Sequence, residues 1–515
     1  MAEHTGSLLS ESLLPISDAD GEDVGTIDLP TLLARLARGE ATEFAVLRAH
    51  QSHPWHAFVV QVAAMAVHRQ PGSLDRTPDA WRDGLLALSD GSEEAWSLVV
   101  PDVNKPAFMQ PPVPEGDVKV LKEVHRCPDE IDVLTISKSH AIKQARMKAP
   151  TSAHWTAALV TLQTSANFGG RGNLGIARMN GGYSNRPAIM AAPGPAPWLR
   201  FRRDLEMLLA TRCTIIDTHG YPEQGGLGLV WLEPWDGEGQ LEPSRLDPYF
   251  IEVCRRVRLI QLDGEVVLRR IATKSSRIAA KELKGNLGDP WTPIRKKDGA
   301  AFTGKNHPLS YRKLHELLLS GEWAPGPALS LQPGDGASPV LMGQILSLGQ
   351  SKSDGYHERT IPIAAAARPL LGSPEGVARL GRRSESWLVI VDAVQNKLRW
   401  AISALLGDAA SSGELRAFIA GHDDVVDRTY FHRLFASLEE EAEVSDRAFA
   451  EFCIVTARSA LEHAVESLPV PQARRYRVIA EAEGRFEGGL HTDKALRTFV
   501  AKPKREELED DRVAN

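Results

Sequence analysis

The stretch Asn167-Phe168-Gly169-Gly170-Arg171-Gly172-Asn173-Leu174-Gly175, followed by Arg178-Met179-Asn180-Gly181-Gly182-Tyr183-Ser184-Asn185-Arg186, holds residue types suited to meeting a nucleic acid. Glycine removes the side chain so that the backbone can approach closely, and Asn and Arg supply donors. The stretch reads as a loop outside the core. It lies in a window from Val133 to Arg203 with ten Lys/Arg (Lys138, Lys143, Arg146, Lys148, Arg171, Arg178, Arg186, Arg200, Arg202, Arg203) and no Asp or Glu. At the chain's average of 67 acids in 515 residues, that window should hold about nine. A surface purged of carboxylates is expected to meet polyanion, because each carboxylate would repel phosphate and weaken counterion release. The net charge is −7 and the window contributes +10, leaving −17 elsewhere: a local nucleic-acid footprint on an acidic component of a larger assembly.

Other strings are weaker on chemical grounds. Gly170-x-Gly172-x-x-Gly175 matches a dinucleotide fingerprint, but that needs a preceding strand and an acid about 20 residues later, and the next acid is Asp204. Gly299 to Asn306 resembles a phosphate-binding loop, yet Asn306 replaces the hydroxyl that would ligate magnesium. His422-Asp423 lacks a second ligand pair and reads as a solvated helix start. Cys127, Cys213, Cys254 and Cys453 are far apart, so neither a disulfide framework nor a zinc site is expected. No cofactor, no metal and no catalytic set are expected, so the chain is read as not an enzyme. With no basic leader and no apolar run of about 18 residues, it is expected to be cytoplasmic, with no membrane partner.

A Gln on a glycine hinge can enter a groove and split a base pair. Leu348-Gly349-Gln350-Ser351-Lys352-Ser353-Asp354-Gly355 offers one, as a polar loop between expected strands at Val340–Leu346 and Thr360–Ala366. An ordinary hairpin tip is the competing reading.

The elements that must position these residues fall into two patterns. The first 20 residues read as frayed; Asp28 caps a helix through Arg38, and Pro54 opens another to about Arg69. Arg255 to Ile271 alternates apolar and polar around Asp263-Gly264, a hairpin signal, and a second basic cluster runs from Arg269 to Lys297. From Ser373 onward only helical spacing appears. Leu388, Val391, Val394, Leu398, Ile402 and Leu405 share one face, and Val426, Tyr430, Leu434 and Leu438 another. A third helix starts at a cap, Ser445, with Phe449, Phe452, Ala460 and Ala464 inward, and a fourth begins near Pro471. The expected fold class is α+β: an N-terminal mixed α/β domain with antiparallel hairpins (1–375), then a C-terminal antiparallel four-helix bundle (376–505) and an acidic disordered tail (506–515).

Four motifs stand in order along the chain: Pro106-Ala107-Phe108-Met109-Gln110, Asn167-Phe168-Gly169-Gly170, Gly349-Gln350-Ser351 and Asp427-Arg428-Thr429-Tyr430-Phe431-His432-Arg433. Together they resemble the large subunit of the type I-E CRISPR Cascade complex, the CasA family. The resemblance implies recognition of the protospacer-adjacent motif of double-stranded DNA from the minor groove. It implies a glycine loop at Asn167, Phe168, Gly169 and Gly170, a lysine finger at Lys281 or Lys284, and a glutamine wedge at Gly349 and Gln350. A loop meeting the guide CRISPR RNA and a neighbouring subunit would carry Lys138, Lys143, Arg146 and Lys148. Other Cascade subunits and a helicase-nuclease effector are the further partners implied. Some members carry a cysteine cluster before the finger; Cys254 stands alone here, which argues against metal-assisted folding of that region. The alternative class is a nucleic-acid-processing enzyme with an unrecognised active site.

Overall fold

The computed structural model describes residues 6–134, 147–181, 185–304, 308–349, 352–406, 412–468 and 472–500. They form a mixed α+β structure with small, mostly antiparallel sheets and a C-terminal helical region. By contacts the chain divides into two units, residues 1–309 with 316–363, and residues 310–315 with 364–515.

The first unit is built around the helix Ala49–Arg69, which is apolar on nearly every side and buried from His50 to Val67 except at the half-buried Ser52. A helix hydrophobic all round must be covered all round. The helices Pro78–Leu88, Ser152–Ser165 and Pro197–His219 and the strand Leu246–Ile251 do this. Pro54 lies inside this helix and does not open it: Gln51 returns its side chain to the Arg48 backbone N–H, starting the helix five residues earlier. The shorter helix Leu29–Ala37 starts where expected, Asp28 accepting from Thr31 N at 2.8 Å. The N-terminus is not frayed over its described part. Leu8, Leu9, Leu14 and Ile16 are buried, and Leu14–Ser17 is the middle strand of a three-stranded sheet, because these apolar residues find core that a local reading cannot see.

The motif Pro106 to Gln110 is core. Phe108 packs edge-on against Trp231 and Phe58, and Gln110 is fully buried, donating to the Leu98 and Phe108 carbonyls and accepting from Leu259 N. The hairpin at Asp263-Gly264 is present. Arg256–Leu262 pairs with Glu265–Ile271, and both turn residues have positive φ (53° and 83°), the twist-compatible two-residue turn. A second hairpin pairs Val340–Gly349 with Lys352–Pro362, so most of the polar segment read as a loop is strand. Asp354 is accommodated as a bulge where the register shifts beyond Ser347. Gln350 lies outside the described residues.

In the second unit four long helices follow one another: Pro374–Leu406, Ser412–Ala436, Ala442–Ser467 and Arg475–Thr492. The first packs against the other three. Its buried face contains Val391, Val394, Leu398, Ile402 and Leu405 as spaced, with Trp387 and Ile390 inward in place of the half-buried Leu388. Trp387 stacks on Phe449 (centroids 3.9 Å apart, planes at 7°) and donates to Asp446. Val426, Tyr430 and Leu434 are buried, and Leu438 is half-buried. The third helix begins after Glu441; Ser445 sits inside it and bonds back to the Glu441 and Ala442 carbonyls. Cys453, Ile454, Ala457 and Leu461 join Phe449 and Ala464 inward, whereas Phe452 and Ala460 are half-buried. His422 is no solvated start: it is mid-helix and buried, its ring against the Cys453 carbonyl at 3.1 Å. The tail 506–515 is outside the described residues.

Candidate nucleic-acid interface

The helix Ser152–Ser165 delivers the chain into the glycine loop. Its last turn carries Gln163, fully buried and with all four hydrogen-bonding positions used. Nε2 donates to the Met109 and Arg255 carbonyls (2.8 and 3.0 Å), and Oε1 accepts from Cys254 N and Arg255 N (2.9 and 2.8 Å). This ties the helix end to the strand connection 252–255 beneath the loop. Arg255, buried in turn, donates through its guanidinium to the carbonyls of Asn167 (2.9 Å) and Leu174. Arg270 donates to the Asn173 side chain.

The loop closes on itself. Gly169 N donates to Asn173 O (2.8 Å), Asn173 N to Gly170 O (3.0 Å) and Ile176 N to Ala166 O (3.0 Å). Gly172 has φ of 82° and no room for a side chain, since a Cβ would stand 2.5 Å from the Ala272 Cβ. The segment 155–163 before it is helix, so the strand that a dinucleotide fingerprint needs is missing. Phe168, Gly169 and Arg171 are exposed, Phe168 by 48%. The second half is not a solvated loop. Ile176, Arg178, Met179, Asn185 and Arg186 are buried. Ala177 N donates at 2.6 Å to Glu252, whose burial raises its pKa to about 7 against the opposing pull of Arg178.

The lysine turn packs on this second half. Lys281–Leu283 forms one 3-10 turn, Lys284 follows with φ of 50°, and Lys281, Leu283 and Lys284 are all exposed. Gly285, φ 83°, lies so close to Met179 and Asn180 that a Cβ would stand 2.7 Å from Asn180 N. Thr303 donates to Asn180 O (2.8 Å), and Ser347 of the long hairpin donates to Gly304 O (3.3 Å). A continuous run of contacts thus joins the loop, the lysine turn, segment 301–304 and the strand that ends at Gly349. Residues 305–307 of the phosphate-loop-like string are outside the described residues.

The described part of the acid-free window does not form a basic surface. Of its seven described cations, Arg178, Arg186, Arg200 and Arg203 are buried. Arg178 stacks on Phe250 at 3.7 Å, Arg186 pairs with Asp289, and Arg203 pairs with Asp335 and Asp204 at 2.9 and 2.8 Å. Arg202 is exposed but lies between Asp75 and Glu206. Only Lys148 and Arg171 are exposed with no ion pair among the described residues. The acids absent from the window come mainly from remote segments. Lys138, Lys143 and Arg146 are outside the described residues. Next to that segment, Arg48 spans Asp129 and Asp132, and Asp129 accepts from Met147 N at 3.1 Å.

Among the described residues, no group of three or more His, Cys, Asp or Glu is arranged to hold a metal ion, and no helix is long and apolar enough to cross a membrane. The described cysteines are unpaired. The residues missed by sequence reasoning are Gln163, Arg255, Arg270 and Glu252. Their only signal was chemical, polar side chains within otherwise apolar segments.

No protein-family model matches the sequence, and no curated protein matches it. Solved structures do. The chain is similar to the CRISPR-associated protein Cse1 from Acidimicrobium ferrooxidans (15% identity over 97% of this chain and 100% of that one, TM-score 0.66). It is similar to Thermobifida fusca Cse1 (14%, 96% and 98%, TM-score 0.64) and to a chain of a CRISPR RNA-guided surveillance complex (14%, 94% and 99%, TM-score 0.57). The fold is therefore that of the Cse1/CasA proteins from one end to the other. The resemblance drawn from the four sequence motifs is borne out at the level of the fold.

Proposed function

We propose that this protein is the large subunit of a type I-E CRISPR RNA-guided surveillance complex. In this reading it tests the protospacer-adjacent motif of double-stranded DNA from the minor groove and starts opening the duplex. The observation that carries the reading is the run of contacts linking glycine loop, lysine turn and long hairpin within a Cse1-like fold.

The division of labour follows from physics. Guide pairing reads sequence, so the protein need only examine a short motif. The minor-groove pattern is degenerate, which makes such reading tolerant. The backbone of the exposed Gly169 and the half-buried Gly170 approaches the groove, Lys281 or Lys284 supplies phosphate or acceptor contacts, and Gln350, with Gly349 as its hinge, is the wedge. Residues 1–375 carry this work, with Lys138, Lys143, Arg146 and Lys148 directed to guide RNA and a neighbouring subunit. Residues 376–505 act as an antiparallel four-helix bundle that docks partners, guides the displaced strand and helps recruit the helicase-nuclease. Arg428, Arg474 and Arg477 are exposed there, while Arg433 stacks on Phe452 and Arg475 bonds the Val465 carbonyl. The site of action is cytoplasmic, and the subunit itself performs no catalysis.

The test uses the complex assembled with guide RNA, on a fully paired target and on one pre-opened over the first base pairs. Gln350→Ala should bind closed duplex nearly as wild type but open it poorly, since holding a split pair costs a few kcal/mol. Gly169→Asp should lose motif recognition, placing bulk and negative charge where backbone must approach phosphate. Pre-opening should rescue Gln350→Ala far more than Gly169→Asp. Equal rescue rejects the wedge, and turnover of nucleic acid by the chain alone supports the enzyme alternative.

A further inference from the structure

Arg255 stands out among the buried arginines by what it holds. Its guanidinium reaches Asn167 O and Leu174 O, which lie seven residues apart on the two legs of the glycine loop, and also its neighbour Cys254 O at 3.2 Å. These oxygen acceptors are all backbone carbonyls. The side chain is 5% exposed, so its charge is not offered to a ligand. The residue is itself fixed, its N–H and C=O both bonded to Gln163. A planar fork with donors pointing in diverging directions can pin two strands at once, and it keeps that geometry because it does not deprotonate.

We infer that Arg255 is a positioning residue which sets the shape of the glycine loop and thereby which motifs the protein accepts. This rests on the reading of the loop as the motif-contacting element. Between the pinned carbonyls lie Phe168 to Asn173, the part of the loop that carries the exposed Phe168, Gly169 and Arg171. Its internal hydrogen bonds, Gly169 N to Asn173 O and Asn173 N to Gly170 O, span less chain than the Arg255 staple encloses. With the staple gone, those two bonds, the contact of Arg270 with the Asn173 side chain, the Thr273 N to Gly172 O bond (3.0 Å) and the Ile176 N to Ala166 O bond must hold the loop against its glycine-rich entropy, and none of them pins both of its legs to the 252–255 connection.

The variant is Arg255→Lys, which keeps the positive charge but supplies one ammonium where a fork is needed. Two measurements are made. In the full chain, hydrogen exchange at the amides of Gly169, Asn173 and Ile176 should quicken by about tenfold, with core helices unchanged. In the complex assembled with guide RNA, the ratio of affinities for duplex with and without an accepted motif should fall by about tenfold, while a pre-opened target binds as before. A merely structural role would speed exchange throughout and lower both affinities in proportion, leaving the ratio intact; that result overturns the proposal. Gly169→Asp separates the two layers. If it also leaves the ratio intact, the loop does not read the motif. If it abolishes the ratio and Arg255→Lys does not, the loop reads the motif but Arg255 does not set it. Should Arg255→Lys not assemble, unchanged exchange at the three amides of the full chain is sufficient to reject the inference.

Discussion

Glu252 carries the clearest pH signature at the scale of single residues. Burial raises its pKa from the ordinary 4.5 to about 7, only partly countered by Arg178 and by the bond from Ala177 N. Between those two values the unfolded chain is ionised there and the folded one is not, so the native state binds more protons and stability falls as pH rises through that window. His56 acts in the opposite sense. Burial holds it down to about 4, so its contribution grows as pH rises from 4 toward 6.5. The difference between wild type and Glu252→Gln isolates the carboxyl. The variant keeps an acceptor for Ala177 N and should equal wild type near pH 4.5, then exceed it above pH 7 by about 2–3 kcal/mol. Thermal unfolding of both chains across pH 4.5–8 measures this, and parallel curves would reject the raised carboxyl.

At the scale of elements, the lysine turn depends on one glycine. Gly285 combines left-handed backbone with no space for a Cβ, since the obstacles are the backbone atoms of Met179 and Asn180. Gly181, equally left-handed with φ of 84°, meets nothing within 4 Å. Gly181→Ala should cost about 1 kcal/mol of conformational strain, and Gly285→Ala at least about 1 kcal/mol more because the turn must lift off the loop. Urea unfolding with an unchanged slope gives both numbers; equal midpoints for the two variants would mean that the turn is not seated on the loop. The local features that announced elements were legible in the chain. Asp28 capping Thr31, the Asp263-Gly264 turn and the spacing of Val391, Val394, Leu398 and Ile402 act through neighbours a few residues away. The start of the helix at Ala49 was not, because Pro54 is the stronger local signal but packing of an apolar helix outweighs it.

At the scale of the whole molecule, Ser310–His315 belongs to the second unit although the residues on both sides belong to the first. Tyr311 is fully buried there: its N–H donates to Asp427 and its hydroxyl to Asp423 (2.7 Å), and its ring lies 4.7 Å from Tyr430. Arg312 pairs with Asp392 at 2.8 Å, and His315 meets Ser384 at 2.8 Å. A chain ending at Gly372 would expose Tyr311 and Leu314 together. It should self-associate, as read by size-exclusion chromatography with light scattering, and Tyr311→Ser with Leu314→Gln should restore a monomer. A monodisperse truncated chain without those changes would contradict this account.

What the sequence alone determined is the order and type of the main elements and the resemblance carried by its four motifs, since helix periodicity, caps and two-residue turns are short-range properties. The fate of its charges was decided only by tertiary structure. Arg186 meets Asp289 across 103 residues, Arg203 meets Asp335 across 132, and Arg255 reaches Asn167 across 88. A window without acids therefore marks buried arginines as readily as a basic surface. The physical reason is that a buried guanidinium must be paired or hydrogen-bonded wherever its partners come from, and linear composition carries no record of which distant segments folding will bring within 3 Å.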